Sequence, residues 1–140
     1  MRMEQPRLIE TGSATVELVS DVLVEVRFKP DVRLGVQGMG EIVMAKRDLI
    51  AGRDVDVLAI LPTEFDFELN VLNVDPHDMD GGCGRANRLA VTAQTRFNQR
   101  LIEIYYRYHP REHDTRIFLA EEDARTWLAT PLPAPSPVGA

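Results

Sequence analysis

Apolar residues recur at every second position over the first structured stretch of the chain. Val16, Leu18, Val22, Val24, Val26 and Phe28 fall on one side of an extended backbone, against Glu17, Leu23, Glu25 and Arg27 on the other. A period of two with Ser20-Asp21 at the reversal predicts a β-hairpin with one buried face. Pro30 ends its second strand, because proline cannot donate to the ladder. From Gly35 to Gly52 the spacing changes: Met39, Ile42, Val43, Leu49 and Ile50 stand at helical intervals, which predicts a helix weakened by Gly38 and Gly40. Asp54 to Pro62 then holds Val55, Val57, Leu58, Ala59, Ile60 and Leu61, a run too short for a typical helix and rich in β-branched side chains. It is predicted as a central strand covered on both faces, with Val57, Ala59 and Leu61 buried beside Val91, and Leu58, Ile60 and Ala93 buried too.

Leu89 to Ala93 repeats that character, and Thr95 behind it is a good N-cap for a helix to about His109. Thr115 to Leu119 reads as the last strand, and Glu121 to Ala129 as the last helix, with acids in its positive first turn. Strands alternating with helices imply an α/β domain in which right-handed crossovers pack helices on a mixed sheet of about five strands, with an N-terminal hairpin and about four helices. Residues 1–12 show no periodicity and are expected to be a flexible N-terminus; 13–129 form the domain; 130–140, with four prolines among its last ten residues, are expected to be a disordered tail.

Length and composition narrow the classes of function. At 140 residues, 44% hydrophobic and 27% charged, the chain fits one domain with a real core. A net charge of -6 argues against nucleic acid or an anionic membrane as the main partner. The single cysteine, Cys83, rules out an internal disulfide. No leader and no apolar run near eighteen residues is visible, which gives the expectation of a cytoplasmic protein without integral membrane contact.

Chemistry-bearing residues gather in two places. Glu64, Asp66, Glu68, Asp75, Asp78 and Asp80 lie within residues 63–80 without one lysine or arginine, and His77 stands among the last three. Hard divalent cations favour such oxygens, but the spacing is not that of an EF-hand, and a solvated acidic loop is the reading preferred over a metal site or a catalytic carboxylate pair. Gly81-Gly82-Cys83-Gly84 lacks the lysine and hydroxyl of a phosphate loop, and its glycines are read as allowing a tight turn or close packing. Cys83 as a nucleophile would need a base, and His77 is the nearest in sequence. Arg85, Arg88, Arg96, Arg100, Arg107 and Arg111 come next along the chain, opposed within that span by Glu103 alone. They form a positive face for the chain's own acidic segment or for that of a partner, or else an ordinary solvated helix face, which is the reading preferred. His109 and His113 flank Pro110 and are read as loop residues, since two histidines do not close a metal site.

The order of hairpin, helix, strand, helix, strand, helix, strand, helix resembles the STAS fold of bacterial anti-sigma-factor antagonists. Thr115-Arg116-Ile117-Phe118, Glu121-Glu122, Ala124 and Trp127-Leu128 are similar to the terminal strand and helix of uncharacterised STAS-like bacterial proteins, a family also compared with lipid-binding CRAL-TRIO domains. Val26-Arg27-Phe28-Lys29-Pro30 and Tyr108-His109-Pro110 fit the same resemblance, which covers roughly residues 13–129. Ala120 stands where that family usually has a serine or threonine cap, an expected loss of about 1 kcal/mol at that helix end. The resemblance also implies a phosphorylated serine at the start of the helix after the central strand, but serine occurs here only at positions 13, 20 and 136. Thr63 comes directly after that strand, and the charges of Glu64, Asp66 and Glu68 would repel a phosphate. The switch therefore does not carry over.

Composition, motifs and resemblance together favour a non-catalytic regulatory or scaffold module acting through protein–protein contact, with no cofactor, no metal and no catalytic residue assigned. A small-molecule or lipid-binding domain is the alternative, resting on the CRAL-TRIO comparison; an enzyme built on the acidic loop comes third. The expected contact lies on the helix beginning at Thr95. Phe97, Leu101, Ile104, Tyr105 and Tyr108 form the stripe predicted to pack on the sheet. Ile102 and Tyr106 then point away from it, beside Arg96, Arg100 and Arg107, as the centre and rim of a homodimer or partner interface.

Overall fold

The computed structural model describes residues 7–73, 86–109 and 114–130. Its strands are β1 (Leu8–Glu10), β2 (Ala14–Ser20), β3 (Leu23–Phe28), β4 (Arg33–Leu34), β5 (Val55–Ile60), β6 (Asp66–Phe67), β7 (Ala86–Thr92) and β8 (Asp114–Phe118). Three α-helices join them among the described residues: α1 (Val36–Ile50), α2 (Arg96–Tyr108) and α3 (Glu121–Ala129). A short 3-10 helix occupies Leu69–Asn73. The main sheet has six strands in the order β1-β2-β3-β5-β7-β8, while β4 and β6 pair in a parallel ladder of their own.

The hairpin forms where the alternation placed it, with Val16 opposite Val26 and Leu18 opposite Val24. All four side chains are buried, whereas Val22 at the turn is exposed. β1 is the element that lack of periodicity concealed. Three residues are too few to show a period, yet Leu8 to Glu10 pair antiparallel with Glu17 to Thr15 and extend the sheet to six strands rather than about five. The helix count also differs from the expected four: after β5, the described residues 61–73 hold β6 and the 3-10 helix instead of an α-helix.

β3, β5, β7 and β8 run parallel. The crossovers through α1 and through α2 step in the same direction across the sheet, so right-handed connections put both helices on one face. The 3-10 helix touches both: it packs against α1, and the carbonyl of Leu72 meets His109 at the end of α2. Under α1 this face buries Ala14, Val16, Leu18, Val24, Val26, Val55 and Val57 with Ile42, Ala45, Leu49 and Ile50. On the opposite face, Leu58, Ile60 and Ala90 pack with Ala124, Phe118, Trp127 and Leu128 beneath α3. The central run is thus covered on both faces as predicted. Val57, Leu58, Ile60, Leu61, Val91 and Ala93 are buried, and Ala59 is half-buried where full burial was expected.

α1 tolerates its two glycines for different reasons. Gly38 is buried against the N-terminal end of β2, and a Cβ there would collide with Ser13 Oγ and touch Leu34. Around Gly40 the same atom would meet open space. Gly40→Ala is therefore expected to raise the unfolding free energy by about 0.5–1 kcal/mol through helix propensity. Gly38→Ala should gain less, and should regain the difference when measured in a Ser13→Ala background. Urea denaturation checks this, and an equal gain at both glycines in the wild-type background would contradict the close approach of α1 to Ser13.

Candidate functional site

α2 starts where the sequence says it should. Thr95 takes an extended conformation and its Oγ1 accepts a hydrogen bond from the Asn98 amide at 3.1 Å. The rotation of the helix about its own axis is set by polar groups at its two ends. Asn98 is 1% exposed, and its Nδ2 donates to the carbonyls of Ala93, Pro62 and Thr63 at 2.8, 3.0 and 3.3 Å. These carbonyls lie just past the ends of β7 and β5, where the ladder no longer supplies donors, and a buried carbonyl without one is costly. At the other end His109 Nε2 lies 2.6 Å from the Leu72 carbonyl, and its ring packs on Tyr105 at 4.6 Å between centroids.

Turning Asn98 and His109 inward fixes every other side chain, because successive residues advance about 100° around a helix. Ile102, Tyr105 and Tyr106 come to the half-buried side, and Leu101 lies at the boundary. Phe97, Ile104 and Tyr108 face out, 70%, 40% and 75% exposed. The helix is therefore rotated by about a quarter turn from the hydrophobic-stripe prediction, which keeps Leu101 and Tyr105 toward the fold as expected but turns Phe97, Ile104 and Tyr108 out. Ile102 and Tyr106, expected at the centre of an interface, are turned toward the fold, and the outward apolar groups are three residues assigned to the core. Arg96, Arg100 and Arg107 are exposed as expected, and they now flank Phe97, Ile104 and Tyr108 along one side.

The remaining arginines divide by position. Arg85 and Arg111 lie outside the described residues, as do His77, Asp75, Asp78, Asp80, Cys83 and His113. Arg88 is not part of a positive surface: it is 6% exposed on the α3 face of the sheet. A bulge in the β5–β7 ladder between Val55 and Val57 brings it beside Asp56. Its Nε and Nη2 donate to the two Asp56 carboxylate oxygens at 3.4 and 2.7 Å. Nη2 also donates to the Leu128 carbonyl at 2.9 Å, and Nη1 to those of Trp127 and Thr130 at 3.1 and 2.7 Å. Each N–H of the guanidinium has an acceptor, and the last carbonyls of α3 have a cation, as the negative end of a helix favours. Trp127 lies near both Arg88 and Arg116, with guanidinium carbons 5.3 and 5.1 Å from its ring centre.

The start of α3 is held differently. Ala120 provides no side-chain cap. In its place, Glu25, Arg27, Glu121 and Arg125 form a closed ring of ion pairs between β3 and the first turns of α3, at 3.6, 3.4, 2.8 and 2.9 Å. The hydrogen bond from Arg125, with further help from Arg27, holds the Glu121 carboxyl below its ordinary value of 4.5. The Glu25 bond first, then the Glu121 bond, raises Arg125. Glu121 therefore contributes its stability in full above 4.5 and loses it as pH falls through the lowered value.

Other surfaces offer less chemistry. An open groove between β1 and α1 has Ile9 and Met44 in its lining, but also Glu10, Glu41 and Asp48, whose charges oppose an anionic headgroup. Glu10 is engaged by Lys29 at 2.8 Å, which lowers its carboxyl. In the acidic stretch, Asp66 pairs with Arg33 at 3.8 Å, while Glu64 and Glu68 are exposed. Among the described residues no group of three or more histidine, cysteine, aspartate or glutamate side chains is placed to hold a metal ion. No helix among them is long and apolar enough to cross a membrane. Comparisons with protein-family models, with curated proteins and with solved structures give no match.

Arg88→Met should cost about 3–5 kcal/mol, because it leaves the Asp56 carboxylate and three helix-end carbonyls without their donor. Arg88→Lys should recover part of this at most, since an ammonium cannot reproduce the five-donor fork. Urea denaturation at neutral pH reads both. A loss below about 1 kcal/mol for Arg88→Met would mean that α3 is held without the guanidinium.

Proposed function

We propose that the protein is a non-catalytic binding module of STAS-like type that acts through protein–protein contact at the outer face of α2, without a serine phospho-switch. The observation that carries this reading is the exposure of Phe97, Ile104 and Tyr108 along one side of a helix whose inward side is anchored by Asn98 and His109. Large apolar side chains at the surface of a folded domain lose little when they stay in water one by one, but three in a row with an arginine margin have the composition of an interface centre. The helix is capped at its start and bonded at both ends, so a partner would meet a preformed surface.

The STAS-like resemblance is supported by the order of a hairpin followed by parallel strands and crossover helices. The small-molecule or lipid reading finds less support, because the groove beside β1 is open and carries three carboxylates.

A photo-crosslinking residue placed at Ile104 should give discrete protein adducts in cells, and the same residue at Thr15, on the polar face of the hairpin, should not. Adducts of equal yield at both positions, or none at position 104, would contradict contact through α2.

A further inference from the structure

The pairing of charges across the surface narrows what can dock on α2. Arg27, Lys29, Arg33, Arg88 and Arg125 each have a carboxylate partner. Arg7, Arg47, Arg53 and Arg116 do not, and neither do Arg96, Arg100 and Arg107, which stand together on α2 with no described carboxylate within ion-pair distance of any of the three. Glu103 is the acid of that helix, so α2 carries an excess of positive charge on a chain whose net charge is -6. At about 100° per residue the three arginines fall on one flank of the apolar row instead of on both sides of it.

That asymmetry discriminates between occupants. Two copies packed through these helices about a two-fold axis would run either antiparallel, with the same flank of each facing its counterpart, or parallel, with each arginine flank facing the other flank of its partner, where α2 carries no carboxylate. In the first arrangement Arg100 and Arg107 would meet the arginines of the second copy, and like charges set opposite each other disfavour the pair; in the second the arginines would find no acid on the flank they face. An anionic lipid surface suits the arginines, but the chain that carries them has a net charge of -6, which such a surface repels.

The geometry points to an acidic amphipathic segment of another protein as the occupant of the α2 face, its apolar side chains on Phe97, Ile104 and Tyr108 and its carboxylates on Arg96, Arg100 and Arg107. This rests on the protein-contact reading above and adds the chemistry of the partner. From Phe97 to Tyr108 the row spans twelve residues, about 16 Å of helix, which matches some three turns of a partner helix.

The test uses the full chain and two labelled synthetic helical peptides that share one apolar stripe, flanked by glutamates in the first and by lysines in the second. By fluorescence anisotropy the glutamate peptide should bind at least about tenfold tighter, and the difference should shrink as salt rises from about 0.05 M to about 0.5 M. Arg100→Glu/Arg107→Glu should invert the preference. Phe97→Ser/Tyr108→Ser should weaken both peptides while leaving the urea midpoint unchanged, since neither side chain is in the core. Equal binding of the two peptides, or a preference that survives charge reversal, overturns the proposal. So does a concentration-dependent dimer in sedimentation that Phe97→Ser/Tyr108→Ser abolishes, which would make the occupant a second copy. Binding to vesicles of equal parts phosphatidylserine and phosphatidylcholine, without peptide binding and lost in the charge-reversed variant, overturns it in favour of a lipid surface. Adducts at position 104 without a glutamate preference overturn the acidic partner alone, whereas absence of adducts there removes the protein-contact reading itself.

Discussion

The Arg88 guanidinium, held between Asp56 and the last carbonyls of α3, is the interaction on which the arrangement of the domain turns. A sheet with α1 and α2 on one face would leave Leu58, Ile60 and Ala90 open to water on the other. α3 covers them, and at nine residues it is too short to be stable by itself. Its two ends are therefore tied to the sheet by charge: the ion ring of Glu25, Arg27, Glu121 and Arg125 at the start, and Arg88 at the end. The two devices differ in kind. The ring is half exposed and weak pair by pair, while the Arg88–Asp56 pair is nearly dry and cannot lose one partner without stranding the other.

Fixing α3 on that face has a consequence for α2. The last described helix is committed beneath β5, β7 and β8, so it does not fold back over the outside of α2. α2 in turn spends its inward side on hydrogen bonds to the carbonyls past β5 and β7 and to the 3-10 helix. An apolar row with an arginine flank stays in solvent. The contact proposed for α2 would thus follow from how the secondary structure is shared between the two faces of the sheet, and would need no pocket.

Much of the fold was legible because burial on a sheet writes itself into the sequence with a period of two, or as an unbroken apolar run. The hairpin from Ala14 to Phe28 and the central strands arise from such signals, while the bounds of α1 come from helical spacing and those of α3 from the acids of its first turn. β1 is too short to carry one. The candidate site was legible in part: the helix, its Thr95 cap and its exposed arginines could be read, but its rotation could not. Hydropathy alone turns Phe97, Ile104 and Tyr108 inward, because their spacing makes the best apolar stripe. What overrides it is a pair of polar anchors, Asn98 and His109, whose acceptors lie 36 and 37 positions away in sequence at Pro62 and Leu72. The one local hint was an asparagine and a histidine eleven positions apart, which put both on one side of the helix. Arg88 was hidden in the same way: in sequence it is one arginine of a basic stretch, and its burial depends on a bulge that sets it beside Asp56.

The orientation of α2 can be measured directly in the isolated protein by hydroxyl-radical footprinting of its aromatic side chains, with mass spectrometry reading oxidation residue by residue. Phe97 and Tyr108 should oxidise fastest, and Tyr105 and Tyr106, half-buried against the fold, several times more slowly. Tyr106 oxidised as fast as Tyr108, with Phe97 protected, would show that α2 is turned toward the hydrophobic-stripe orientation and that the surface assigned to the partner is core.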